Sequence, residues 1–333
     1  MQNGYVFCIA GRPAVYDRME SSLKHECEVA RTCLLQLRFT ATLIRTMKIL
    51  VTGSSGKVGR FTVRELAEAG HEVVHVDRTR PPEDLPGEWR EADLTDAGAV
   101  YDIFHQVKPD WVCQIAANPD PQHFPGPQIF RNNVMTTFNV MSAAGDVGAT
   151  RLIYAGSEMA TGWLTTDEHP PKIPFTEDDR IDSPNPYAQS KYLGESIADG
   201  MVPRFPGMSL VTLRINNVIV PGGPHGYDVL EYRRANYPHE GSANYWSYVD
   251  VRDVARAFRA ALEGKSSGHE VFLVAAADTC LDVPIQKAFR DRFGEDGPFV
   301  EGHGEFDSAF DCSRIREWFG WEAKYSWRNE PTG

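Results

Sequence analysis

The feature that most constrains this chain is a short apolar run that turns directly into a glycine-rich loop. Residues 48–52 read as a buried strand and lead into Thr52-Gly53-Ser54-Ser55-Gly56-Lys57-Val58-Gly59, and an amphipathic helical pattern follows through Ala69. Glycines three apart let the backbone turn sharply after a strand and approach an anion closely. The helix that follows points free N–H groups and a partial positive charge at that anion. A glycine triplet alone is weak evidence, but here a strand precedes it and a helix follows it. The spacing predicts a pyrophosphate cradle made by Gly53, Ser55, Gly56, Lys57, Val58 and Gly59.

The same alternation continues to the end of the chain. Apolar runs at 48–52, 72–77, 111–116, 151–155, 208–214 and 270–275 read as strands. Helical periods fall between and after them, at 57–69, 96–107, 128–146, 185–201, 251–263 and 284–293. Short buried strands separated by amphipathic helices are the pattern of parallel βαβ units, whose crossovers wind right-handed. The expected fold class is α/β, a doubly wound parallel sheet of the Rossmann type. Pro-rich stretches at 81–86, 119–127 and 170–186 and a Gly-Pro run at 221–226 read as loops.

Residues 1–46 do not match the rest. They hold Cys8, Cys27 and Cys33, three of the six cysteines, and six basic residues against four acidic ones. Met47 then opens MKILVTG, which reads as the natural start of the first strand. The first 46 residues lack the apolar core and small-residue cleavage site of a signal peptide. They are expected to be an extension outside the fold, with a helix near 22–38 as the competing possibility.

Composition excludes several classes of partner. A net charge of −12 opposes nucleic-acid binding, because phosphates would be repelled. No apolar stretch approaches the roughly 18–20 residues of a membrane span. The remaining cysteines, Cys113, Cys280 and Cys312, form no CxxC pair with one another or with the first three. They read as reduced thiols of a cytoplasmic protein, with no metal site.

Asp77 ends the second strand, 18 residues past Gly59. An acid there accepts hydrogen bonds from both ribose hydroxyls of an adenosine and repels a 2′-phosphate, which favours NAD over NADP. Arg78 follows immediately and is able to pair with a 2′-phosphate. Asp93-Leu94 after a short extended stretch, and Ala116-Ala117 at the end of an apolar strand, are further candidate cofactor contacts or plain packing residues.

Tyr187 and Lys191 open a Pro-marked helix at positions i and i+4, so their side chains share one face. Chance would supply roughly 0.3 such pairs in a chain of this composition, so position after a dinucleotide loop is what gives the pair weight. A free phenol has a pKa of about 10, too high for a base at neutral pH. A cation about 4 Å away contributes up to about 4 kcal/mol at an effective dielectric near 20, enough to bring Tyr187 near 7. Lys191 is also placed to hold a ribose. Ser157 ends a strand and is able to bind the substrate oxygen whose proton Tyr187 takes, although an isolated serine there is more often a turn or cap residue.

Taken in order, TGSSGKVG at 52–59, Asp77, DLTD at 93–96, QIAAN at 114–118 and NNVMTTFNV at 132–140 resemble the extended short-chain dehydrogenases/reductases of the NAD-dependent epimerase/dehydratase family. YAGSEMATG at 154–162, YAQSK at 187–191, RINNVIVPGG at 214–223 and YVDVRDVARAF at 248–258 continue the series. The resemblance covers about 47–325. It implies an enzyme with Ser157, Tyr187 and Lys191 as catalytic residues, and NAD held by the glycines, Asp77, Arg78, Asp93, Leu94, Ala116, Ala117, Asn133, Tyr187 and Lys191. It implies substrate contacts from Glu158 and Asn217, and a homodimer. A small C-terminal substrate-binding lobe is expected from residues 157–186, 217–250 and 276–325.

The departures narrow the reaction. Only 30 residues separate Pro221 from Val251, shorter than the lobe of relatives that act on nucleotide sugars and closer to uronate dehydrogenases. Asp250-Val251-Arg252-Asp253 replaces the family's VDD. The leading expectation is therefore hydride transfer to or from a carbinol of a sugar-like substrate, with NAD as a dissociable cosubstrate. The alternatives are a nucleotide-sugar epimerase with tightly held NAD, a dehydratase, and a non-catalytic dinucleotide sensor. The dehydratase is disfavoured because Met159 stands where its second acid belongs. The sensor would not need Ser157, Tyr187 and Lys191 together.

Overall fold

The first apolar run forms β1 (Lys48–Thr52), and its neighbours follow from the two-residue repeat of strands. Ile49 and Val51 point into one apolar cluster and Leu50 into another on the opposite face. A strand buried on both faces needs layers of helix on each side, and the chain supplies them. The computed structural model describes residues 45–119, 124–166, 168–222 and 226–329. The expectations for residues 1–44, including the extension and its three cysteines, lie outside the described residues.

After β1 come α1 (Lys57–Glu68), β2 (Glu72–Asp77), β3 (Glu88–Glu91), α2 (Ala97–Val107), β4 (Trp111–Gln114), α3 (Gly126–Asp146) and β5 (Arg151–Ser157). The second half holds α4 (Pro186–Arg204), β6 (Ser209–Ile215), β7 (Val218–Ile219), α5 (Tyr227–Ala235), β8 (Val249–Asp250), α6 (Val251–Glu263), β9 (His269–Val274), α7 (Ile285–Phe293) and α8 (Ser313–Phe319). Seven strands form one sheet in the order β3-β2-β1-β4-β5-β6-β9, every pairing parallel. The fold is the doubly wound α/β sheet the sequence predicts. The direction of winding reverses between β1 and β4, and a crevice opens at such a switch point, beyond the carboxyl ends of the strands.

One face of the sheet is covered by α1 and α6, through Val63, Leu66, Val254 and Phe258. The other is covered by α2, α3 and α4, through Phe104, Met141, Ala198 and Met201. A third apolar cluster, with Trp163, Phe175, Tyr245, Trp246, Tyr248, Phe289 and Phe310, is drawn largely from the segments expected to form the lobe.

The chain's late residues complete its early core. Trp321 is buried and donates from Nε1 to the Asp253 carbonyl at 3.0 Å. The buried Asp253 carboxylate, near the start of α6, accepts the backbone N–H groups of Lys324 and Tyr325, each at 2.9 Å to Oδ2. The unusual DVRD sequence at 250–253 thus has a structural use. Asp250 caps α6 by accepting from the Arg252 N–H at 2.8 Å, and Asp253 clasps the following segment.

Five elements differ from the sequence reading. β3 is an edge strand of exposed and half-buried residues, Glu-Trp-Arg-Glu, with no apolar alternation to announce it. The short helices α5 and α8 and the two-residue pair β7–β8 also form where no element was expected. Cys113 and Cys280 are buried and Cys312 half-buried, all as free thiols. Among the described residues no helix is long and apolar enough to cross a membrane, and no cluster of His, Cys, Asp or Glu is able to hold a metal ion.

Candidate active site

The glycine-rich loop is tight because it has to be. Gly53 has φ +73°, and a Cβ there would lie 2.7 Å from the Ala116 backbone nitrogen. A Cβ on Gly59 would lie 2.1 Å from the Gly53 carbonyl oxygen, so α1 could not close onto the loop with any other residue. Gly56 caps α1 without a side chain, which leaves the first N–H groups of the helix available to an anion. Thr52 locks the opposite wall: its Oγ1 accepts the Ile115 and Ala116 N–H groups at 3.0 and 3.1 Å.

These elements enclose a cavity of about 390 Å³ at the switch point. Gly53, Gly56, Lys57, Val58 and Gly59 line it, with Asp77 at the end of β2 and Arg78 just after it. Asp93, Leu94, Ala116 and Ala117 line the same cavity. The Asp77 carboxylate is oriented by the Ser55 N–H at 2.9 Å and the Arg78 N–H at 2.7 Å. Ser55 itself does not line the cavity, since its hydroxyl donates to the Thr79 carbonyl. Lys57 reaches across the cleft and donates from Nζ to the Val218 carbonyl at 2.9 Å, and burial lowers its pKa. The cradle, its free helix N-terminus and the carboxylate at the end of β2 fit an adenine dinucleotide.

Asn133, which the resemblance implies would brace the active site beside the cofactor, does not line the cavity itself. It is 1% exposed, and its amide is used up inside the protein. It accepts the Asn118 N–H at 2.7 Å and donates to the Asn118 carbonyl and the Ser190 hydroxyl. Asn133 braces the loop after β4 against α4, and its neighbour Asn132 lines the cavity instead.

At the inner end, Ser157, Tyr187 and Lys191 come together on the cavity wall. Asn185 caps α4 by accepting the Tyr187 and Ala188 N–H groups at 2.9 and 3.1 Å, which fixes the start of the helix and the facing of the pair. Tyr187 as a residue is half-buried, but its hydroxyl is enclosed, with the Ser157 side chain beside it. Ser157 is also a cap, accepting the Met159 N–H at 3.2 Å, the turn-and-cap role that the sequence allows for it.

The electrostatics differ from the simple pairing expected. Lys191 is 3% exposed and donates from Nζ to the Ala155 carbonyl at 2.8 Å, and it sits 5.8 Å from the centre of the Tyr187 ring. Burial pushes Lys191 down to about 8. Burial pushes Tyr187 up to about 12, against the pull of the nearby Ser157 hydroxyl and with help from the Glu158 carboxyl. Within the protein alone, desolvation outweighs the lysine charge. Glu158 and Asn217 line the cavity beside the pair, as does Asn216, which the sequence reading passed over.

The sequence profile of the NAD-dependent epimerase/dehydratase family matches residues 49–275, more than half of the chain. The chain belongs to this family. The match spans β1 to the end of β9 and so includes the whole cavity. Within the family, the UDP-glucose 4-epimerase of Lactobacillus helveticus is 26% identical over 313 residues, which cover 84% of this chain and 93% of that protein. The UDP-glucose 4-epimerase of Bacillus subtilis (strain 168) is 25% identical, over 84% of this chain and 93% of that protein. The fold is similar to that of the Thermotoga maritima UDP-glucose 4-epimerase solved with UDP-glucose. That likeness has TM-score 0.63 and 22% identity, over 84% of this chain and 94% of that one. Membership makes this chain an enzyme of an NAD-dependent family, as the glycine loop and Asp77 predict.

Proposed function

We propose that this chain is an NAD-dependent epimerase of a nucleotide sugar, working by oxidation and re-reduction at one carbinol. The observation that carries the reading is the convergence of Ser157, Tyr187 and Lys191 on the wall of the dinucleotide cavity. Ser157 holds the substrate hydroxyl and Tyr187 takes its proton, then returns it once the sugar has turned its other face. Bound NAD supplies the acceptor and donor of hydride. A positive nicotinamide ring beside Tyr187 would also add the attraction for a phenolate that burial withholds. Lys191 holds the nicotinamide ribose, and the buried walls keep water from the ketone that forms in between.

The relatives that align over nearly their whole length favour epimerisation over the net oxidation expected from the sequence. One observation supports net oxidation of a smaller sugar as a second reading: the lobe is short, and among the described residues only α5 and one 3-10 turn lie between β7 and β8.

The experiment is to purify the chain, release and quantify any retained NAD, and incubate the protein with UDP-galactose. Epimerisation yields UDP-glucose with no net change at 340 nm. Net oxidation of free sugars with added NAD, and no interconversion of UDP-sugars, would replace the proposal with the second reading.

A further inference from the structure

Beside the Ser157–Tyr187 pair stands a group of side chains with no part in moving the proton. Glu158 is 6% exposed and lines the cavity. Its carboxyl is approached by the Asn244 side chain and the Asn217 N–H, yet Oε2 is buried without a partner. Asn216, 2% exposed, also lines the cavity. Its Oδ1 accepts from the Asn217 N–H at 2.6 Å and from Asn244 Nδ2 at 3.2 Å, while its own Nδ2 is buried without a partner. Asn244 donates onward to the Ser247 carbonyl at 2.9 Å, and its Oδ1 is likewise unused.

Three linked polar side chains thus each keep one unused hydrogen-bonding atom. Protein interiors rarely leave such atoms unmade, and a cluster of them at a cavity wall marks a place that a ligand completes. The chemistry of the set is specific. Burial pushes Glu158 up to about 8, against the pull of Arg233 on α5, so near neutral pH the carboxyl carries its proton. The two members that line the cavity, Glu158 and Asn216, then offer an O–H and an amide N–H as donors and the other carboxyl oxygen as acceptor, with Asn244 behind them. A hydroxyl, which both donates and accepts, satisfies the set. Arg233 does not line the cavity and donates to the Ser247 carbonyl instead, so the set holds no cation for an anionic group.

We propose that Glu158, Asn216 and Asn244 form a subsite that reads one neutral hydroxyl of the sugar beside the reacting carbinol. Glu158 and Asn216 touch that hydroxyl, and Asn244 is a positioning residue. The inference rests on the sugar reading above, and it names the part of the substrate that this chain inspects. Sites built to bond a hydroxyl reject analogues lacking it far more strongly than apolar pockets reject a missing methylene.

The test uses the full chain with NAD, UDP-glucose and its 2-, 3- and 6-deoxy analogues, comparing kcat/KM and equilibrium binding for the wild type, Glu158→Leu, Glu158→Gln and Asn244→Leu. The wild type should prefer UDP-glucose over one of the three analogues by about 30-fold or more. Glu158→Leu should bring that one ratio to within about 3-fold and leave the other two ratios in place. Glu158→Gln, which keeps a donor, should retain about 10-fold, and Asn244→Leu should lower the same ratio only. A uniform loss across parent and analogues in Glu158→Leu would make the residue structural and overturn the subsite. If the wild type ignores UDP-sugars but oxidises glucose, the epimerase reading fails, and glucose with its deoxy analogues decides the subsite by the same ratio. A wild type that neither binds nor turns over either set overturns both.

Discussion

Replacing Lys191 by Met should make the protein more stable at neutral pH while disabling it. The ammonium is enclosed, and its pKa falls from 10.5 to about 8 by burial. An unfolded chain restores the ordinary value, so below pH 8 the folded state carries a protonated lysine that the unfolded state holds more comfortably. The difference of about 2.5 pKa units corresponds to on the order of 3 kcal/mol of lost stability. Between pH 8 and 10.5 the unfolded chain binds more protons, and stability from this group rises with pH by up to about 1.4 kcal/mol per unit. Above 10.5 the lysine is neutral in both states and the deficit is gone. Methionine fills a similar volume without charge but forfeits the 2.8 Å bond to the Ala155 carbonyl, which returns about 1–2 kcal/mol of the gain. Lys191→Met should therefore gain about 1–2 kcal/mol in urea denaturation at pH 7, with the advantage shrinking steadily from pH 8 to 10. Other titrating groups are common to both proteins and cancel in the difference. A variant less stable than wild type at pH 7, or a gap that does not change with pH, would refute the claim that the active site holds its lysine at a cost.

Tyr187→Phe should keep its fold and its NAD affinity, because only the hydroxyl is lost, while turnover falls about 10²–10⁴-fold; retention of most activity would make Tyr187 structural. NAD should bind at least about fivefold more tightly than NADP in a fluorescence titration. The Asp77 carboxylate and a 2′-phosphate about 4 Å away repel by about 1 kcal/mol even in bulk water, and equal affinities would point to Arg78 as the compensating charge. A chain beginning at Met47 should be soluble and as active as the full one, and an insoluble product would place part of residues 1–46 in the folded core.

The sheet was legible because its signals are local. β1, β2 and α6 fall on the residues their periodicity indicates, since a strand buried on both faces or a helix with one apolar stripe cannot hide its pattern. β3 was not, because an edge strand of Glu, Trp, Arg and Glu buries too little to leave one. The spacing of Tyr187 and Lys191 correctly put them on one helix face. It could not say that the ammonium would meet the end of β5 at Ala155, which depends on how α4 crosses the sheet. Asn216 and Asn244 were invisible for a deeper reason. Each is an ordinary asparagine in the sequence, and a missing hydrogen-bond partner is a property of three-dimensional surroundings only.

The clasp between Asp253 and the Lys324 and Tyr325 amides has a consequence for the order in which the molecule is made. A ribosome releases β1 and the glycine loop first, but Trp321 and the two amides that satisfy the Asp253 carboxylate emerge some seventy residues after Asp253 itself. Until then the Asp253 carboxylate lacks its two backbone donors, and the core that α6 shares with β1 lacks Trp321. The dinucleotide half is thus completed by the far end of the chain. Its final consolidation waits for contacts distant in sequence, the kind that close slowly.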